Sequence, residues 1–301
     1  MKEKIAILKE RLAGGVSPAM ATPLEPDSYC VQTNAVAGLV EFLIEREVKG
    51  IFAGGTTGEG VALQPSERKK LHEETMTAAK GRVPVLVHVG DMRLDTAVDL
   101  TRHAAAIGAD AIVAVTPYFY GMHDNALGHY YETIAAAAPE VPLFGYDIPH
   151  LAVNGISPSL VVKLSGSIPS LAGFKSSNVD IQVVRRRIDA SPKRCIFLAG
   201  NVSAALGALA LGADGLISGL STAVPEPFVG LTHSFANGDM DEAQRYQQLI
   251  NRLLLEIPAG ERLGAIKSIL NSRGVPVGKT GPALPYPERE IWPSMQELLL
   301  Q

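Results

Sequence analysis

An α/β (β/α)8 barrel, a TIM barrel with a C-terminal helical extension, is the fold class this sequence predicts. Three observations predict it. Eight short apolar runs alternate with amphipathic stretches, the pattern of a parallel sheet whose two faces are both covered by helices. The alternating units fill about 220 residues, the size of such a barrel. The helix-to-strand turn also repeats: Ile107-Gly108-Ala109-Asp110-Ala111 returns as Leu211-Gly212-Ala213-Asp214-Gly215. In that repeat Gly108 and Gly212 are placed to cap their helices in the left-handed region.

In chain order, Gly15–Ala21 reads as strand 1 and Ala35–Val48 as its helix. Gly50–Ala53 is strand 2, with Pro65-Ser66-Glu67-Arg68 opening a helix as a proline in the first turn does. Strand 3 is Val83–His88, with helix Leu94–Ile107. Strand 4 is Ala111–Val115, with helix Ala126–Ala138. Strand 5 is Pro142–Tyr146, with helix Pro158–Ser165. Strand 6 is Ser170–Lys175, with helix Val179–Ala190. Strand 7 is Cys195–Ala199, with helix Val202–Leu211. Strand 8 is Gly215–Ser218, with a helix from Pro225. The barrel is expected over residues 1–236 and the appendix over 237–301. The appendix carries helices at Met240–Glu256, Gly260–Arg273 and Glu288–Leu300, with a Gly- and Pro-rich linker at 274–287.

Bulk composition removes several function classes. The 301 residues are 47% hydrophobic and 19% charged with a net charge of −4, which suits a large buried core and not a nucleic-acid partner. The one basic block, Arg185-Arg186-Arg187, falls in a helical pattern and reads as a solvated face. Two cysteines, Cys30 and Cys195, make no disulfide framework and fit a cytoplasmic setting. The N-terminal stretch is charged and amphipathic, without the apolar run of a signal peptide, and no window is long and apolar enough for a membrane span. The seven histidines form no HExxH pattern and no cluster with carboxylates, so a metal site is not expected. His88 and His150, near the ends of strands 3 and 5, are placed where either could line a pocket or pack structurally.

Chemistry concentrates where strands run out, the place parallel α/β proteins bind ligands. Gly173-Phe174-Lys175 ends strand 6, and a lysine held in apolar surroundings there is a candidate Schiff-base nucleophile, since desolvation frees its amine. Strand 2 runs into Gly54-Gly55-Thr56-Thr57-Gly58-Glu59-Gly60, whose glycines and hydroxyls form a nest suited to a carboxylate or phosphate. The lack of a closing Gly-Lys-[Ser/Thr] separates it from a P-loop. Tyr146 ends strand 5, where its phenol could move protons.

Taken together, Gly55-Thr56-Thr57-Gly58-Glu59, Thr116-Pro117-Tyr118, Tyr146-Asp147-Ile148-Pro149 and Gly173-Phe174-Lys175 resemble the dihydrodipicolinate synthase / N-acetylneuraminate lyase family. Order and spacing match over essentially the whole barrel. The resemblance implies a class I aldolase, commonly a homotetramer, that needs no metal or organic cofactor. It implies that Lys175 forms a Schiff base with a 2-oxo acid such as pyruvate and that Tyr146 moves protons near the bond made or broken. Thr56 and Thr57 would relay to that tyrosine and hold the carboxylate, with Gly55 in the same turn. Gly200, Ile217 and Leu151 fall where the pocket lining lies. The other partner would be an aldehyde.

Departures from the pattern bear on the substrate. Where dihydrodipicolinate synthases carry a second tyrosine that reaches a neighbour's site, this chain has Phe119, then Tyr120. Where they carry an arginine five residues after the strand-5 tyrosine, this chain has Leu151, preceded by His150. Asp147 stands where many members have asparagine. These differences favour a neuraminate-lyase-like or 2-keto-3-deoxy-sugar-acid aldolase. The alternatives are the dihydrodipicolinate synthase reaction, a sugar-acid dehydratase using the same imine, and a barrel that has lost activity. The Tyr118-Phe119-Tyr120 loop is either an interface element or a cap on its own pocket.

Overall fold

Short runs of β-branched and other apolar residues set the sheet. In a computed structural model that describes Met1–Gln301, eight strands form: β1 (Val16–Pro18), β2 (Ile51–Ala53), β3 (Val85–His88), β4 (Ala111–Val115), β5 (Leu143–Asp147), β6 (Leu171–Ser176), β7 (Ile196–Ala199) and β8 (Gly215–Ser218). All paired neighbours are parallel, and β1 joins β8 to bend the sheet round. The remaining seam, between β1 and β2, is closed by one bridge, Ala19 to Phe52, with the Met20 N–H donating to the Phe52 carbonyl at 2.9 Å.

Every strand residue is buried, as expected when helices cover the outside and side chains fill the inside. Alternation sorts the two sides. Ala111, Val113 and Val115 of β4 face inward with Leu86, Phe144, Ile196 and Leu198, while Ile112, Ala114, Val85 and Val87 join the layer beneath the helices. Helix α1 (Lys2–Leu12) closes the barrel floor by adding Ile5, Leu8 and Leu12 to the inner cluster. The stretch read from the sequence as charged and amphipathic is thus a helix, its apolar residues at 5, 8 and 12 turned to the barrel.

The outer helices are α2 (Thr33–Ile44), α3 (Pro65–Ala79), α4 (Leu94–Ala106), α5 (Asp124–Ala137), α7 (Pro158–Ser167), α8 (Ile181–Ala190), α9 (Ala205–Ala210, entered by a 3-10 turn) and α10 (Glu226–Ala236). A one-turn helix, α6 (Pro149–Ala152), interrupts the β5 loop. The chain continues through α11 (Met240–Leu255), α12 (Arg262–Ser272) and α13 (Trp292–Leu299). Gly108 and Gly212 adopt φ of +73° and +99°, the left-handed capping geometry the repeat called for. Strands run shorter than expected at several ends because the adjoining loop residues, such as Ala19–Ala21, are buried too. One expectation is corrected: of the arginine triple on α8, Arg185 and Arg186 are exposed, but Arg187 is only 3% exposed and faces the sheet. No helix is long and apolar enough to cross a membrane.

Candidate active site at the C-terminal ends of the strands

A cavity of about 380 Å³ opens at the C-terminal ends of the strands. Lys175 and Tyr146 share its floor because β5 and β6 pair with those two residues side by side. The Lys175 Nζ sits 3.5 Å from the centre of the Tyr146 ring. The Tyr146 phenol and the Thr56 hydroxyl, carried in from the β2 turn, lie 3.0 Å apart and share a hydrogen bond. Phe52 and His88 hold the phenol from behind, edge-on to its ring with centroids 6.0 and 6.2 Å away.

Burial decides the protonation of both groups. It holds the Lys175 amine well below the ordinary lysine range; the Arg262 guanidinium pushes the same way and Asp147 opposes. No carboxylate pairs with Lys175, so nothing obliges the amine to stay charged. Burial likewise pushes the Tyr146 phenol up to about 12, opposed by hydrogen bonds with Thr56 and Ser177. Burial thus biases the pair toward a free amine beside a protonated phenol, a nucleophile and an acid within one pocket.

Beneath the floor lies the reason Arg187 turns inward. Asp147, next after Tyr146, accepts from both terminal nitrogens of Arg187, from the Ser176 hydroxyl (2.8 Å) and from the Ile156 amide (2.8 Å). Arg187 donates in turn to the Ile156 carbonyl (2.5 Å) and to Ser176 Oγ (3.0 Å). Asp147 follows the tyrosine and Ser176 follows the lysine, so this buried pair ties the two reactive strand ends together. A second buried pair anchors the glycine turn. Glu59, at φ +56°, points away from the cavity to meet Lys267 of α12 at 2.6 Å, and accepts from the Gly281 amide at 2.8 Å. Gly60 is obligatory beside it, for a Cβ there would lie 1.7 Å from the Gly54 carbonyl oxygen.

Lys175, Tyr146, Thr56, Thr57, Gly200, Ile217 and Leu151 all line this cavity. A Cβ on Gly200 would lie 2.4 Å from Ser177 Oγ and 3.2 Å from Lys175 Cε, so the missing side chain leaves the lysine its room. Gly55 is buried behind the lining, where a Cβ would strike the Phe52 ring at 2.4 Å. His150 reaches the lining, whereas His88 is a buried support, kept neutral by burial and by Arg68. The rings of Phe119 and Tyr120, 78% and 62% exposed, do not line the cavity of their own chain. Asn201, Ser203, Leu254, Arg262 and Leu263 also line it, unforeseen from the sequence. Asn201 and Ser203 directly follow Gly200, which was a signal for them. For Arg262, 87 positions beyond Lys175 on a separate helix, none existed.

Comparison with known proteins places this geometry. The model of the dihydrodipicolinate synthetase family matches residues 12–299. The N-acetylneuraminate lyase of Gallus gallus is 34% identical over 281 residues, covering 90% of this chain and 89% of that one. The 4-hydroxy-tetrahydrodipicolinate synthase 2 of Halalkalibacterium halodurans is 30% identical, covering 96% and 98%. The solved structure of a catalytic lysine mutant of Ruminococcus gnavus sialic acid aldolase superposes with a TM-score of 0.92 at 27% identity, over 97% of this chain and 96% of that one.

Proposed function

The chain belongs to the dihydrodipicolinate synthetase family, and on that premise we propose that it is a Schiff-base lyase or aldolase with Lys175 as nucleophile. It cleaves or forms a carbon–carbon bond between a 2-oxo acid, pyruvate or a close relative, and an aldehyde. The single observation that carries this reading is Lys175 itself: an amine 5% exposed, without a carboxylate partner, on the floor of a cavity and against a phenol.

The steps follow from the site. The free amine attacks the ketone carbon and passes one of its protons to the former ketone oxygen, which takes up a second proton from the Tyr146 phenol and leaves as water, giving an iminium. In the lyase direction, the hydroxyl on the carbon being released gives up its proton and the carbon–carbon bond breaks. The aldehyde departs, and the bonding pair flows into the iminium as an enamine. Protonation of the enamine carbon and addition of water then return the 2-oxo acid and the amine. Tyr146 holds the proton exchanged in these steps, with Thr56 as its relay. Thr56 and Thr57 hold the carboxylate, which removes the entropic cost of aligning the ketone. Leu151 at the rim supplies no cation there, which speaks for the aldolase reading over the dihydrodipicolinate synthase reaction.

Residues 237–301 form the helical appendix of this reading. The exposed Phe119 and Tyr120 rings are the surface offered for homo-oligomer formation, a tetramer on family grounds, and light scattering tests it. Exposed Cys30 and buried Cys195, both free thiols, suit a cytoplasmic setting.

The test is intact mass after incubation with pyruvate and borohydride. One reduced adduct per chain, absent from Lys175→Ala, is expected; an adduct of equal yield in that variant sinks the assignment.

A further inference from the structure

We infer that Arg262, carried by α12, reads a negative charge on the aldehyde, so that the acceptor is an anionic aldehyde bearing its own carboxylate or phosphate. This rests on the Schiff-base reading above and deepens it. Of the 19 residues that line the cavity, none is aspartate or glutamate. A pocket built for a neutral polyol would gain from carboxylates that accept hydroxyl protons; this one offers apolar groups, neutral polar groups and a guanidinium. Arg262 is the one guanidinium in the lining, a group that keeps its charge at any working pH.

That charge is unanswered within the chain. Eight other arginines, among them Arg46, Arg68, Arg187 and Arg273, meet a carboxylate within 3.2 Å. Arg262, the first residue of α12, is exposed to solvent on one side and lines the cavity on the other, with the Tyr146 phenol nearby and no carboxylate beside it. Its mounting is rigid. Ala265 to Leu270 of α12 are buried, Lys267 is locked to Glu59, and Gly264 is pressed so close to the 285–287 segment that a Cβ would lie 2.5 Å from the Pro285 carbonyl oxygen. A guanidinium at the cavity rim, carried by such a support and without a carboxylate of its own chain, is open to a carboxylate or phosphate. The 2-oxo acid's own carboxylate has its seat in the β2 turn at Thr56 and Thr57. Arg262 enters from a different element and is free for the second reactant.

The experiment uses matched aldehyde pairs with pyruvate: glyceraldehyde against glyceraldehyde 3-phosphate, and propanal against succinic semialdehyde. Borohydride trapping of pyruvate is measured on the wild type, Arg262→Met and Arg262→Lys, and turnover is expressed per trappable site. The wild type is expected to favour the charged member of at least one pair by about 10- to 100-fold in kcat/KM, the worth of a hydrogen-bonded charge. Arg262→Met abolishes that preference, mostly through KM, and Arg262→Lys restores part of it. A preference confined to one pair names phosphate or carboxylate as the group read. A wild type indifferent to charge, or a preference that survives in Arg262→Met, overturns the inference while leaving the Schiff base standing. A wild type that traps no pyruvate overturns the reading beneath it.

Discussion

Replacing Arg187 by methionine strands Asp147 beneath the reactive lysine and tyrosine. The two side chains are 4% and 1% exposed, so solvent cannot compensate the carboxylate left behind. Removing one partner of a buried ion pair costs about 3–5 kcal/mol. Asp147 keeps two neutral donors, the Ser176 hydroxyl and the Ile156 amide, both at 2.8 Å. That places the loss near the lower end, about 3 kcal/mol, or a fall of about 5 °C in Tm for a chain of 301 residues. Asp147→Asn in the same background removes the stranded charge and is expected to recover much of the loss. Asp147→Asn alone leaves the guanidinium unanswered and is worse than the double variant. Urea and thermal unfolding of the four proteins close the cycle. If the two single effects simply add, or Arg187→Met melts within about 0.5 kcal/mol of the wild type, the shift of a neutral surface change, the pair does not hold the floor as described. Pyruvate trapping gives the functional side: Arg187→Met is expected to trap more slowly, because Asp147 and Ser176 adjoin the two reactive residues.

Other outcomes follow from the same site. In the unfolded chain Lys175 titrates near 10.5, whereas its native value lies well below that. Between the two values the unfolded state holds the extra proton, so stability rises with pH across the window. Lys175→Met, which removes that penalty, is therefore expected to melt higher than the wild type at pH 7, with the gap narrowing toward pH 10; a gap that widens with pH contradicts a neutral native lysine. Gly200→Ala drives a methyl against Ser177 and Lys175 Cε, and a displacement of about 1 Å at the nucleophile is expected to slow imine trapping roughly 100-fold. Unchanged trapping kinetics would show that the lysine has slack.

The barrel was legible because its signal is local and repeated. Runs such as Ala111–Val115 and Gly215–Ser218 are apolar on both faces and flanked by amphipathic helices, a pattern few other folds produce. Lys175 and Tyr146 near the ends of their strands, and Thr56 in the turn that follows one, could be grouped because a parallel barrel brings all such ends to one rim. Arg187 was misread because three consecutive arginines look solvated; its place three residues after buried Val184 marked it as inward-facing. Arg262 could not be read at all, since its meeting with the cavity depends on how α12 folds back over the barrel, a long-range arrangement with no local pattern.

The Glu59–Lys267 pair also fixes an order of events in synthesis. The turn that carries Thr56 and Thr57 leaves the ribosome early, while its anchors, Lys267 and Gly281, emerge far later, Gly281 222 residues after Glu59. Until they arrive, Glu59 is a carboxylate bound for a dry interior with no counter-charge, and it stays in water, since the cost of burying it alone is prohibitive. The nascent barrel can pair its strands, but the carboxylate-binding turn cannot settle into its final shape. Competence to form the imine is therefore acquired only when the last quarter of the chain docks, so incomplete chains carry a lysine without the seat that would present a keto acid to it.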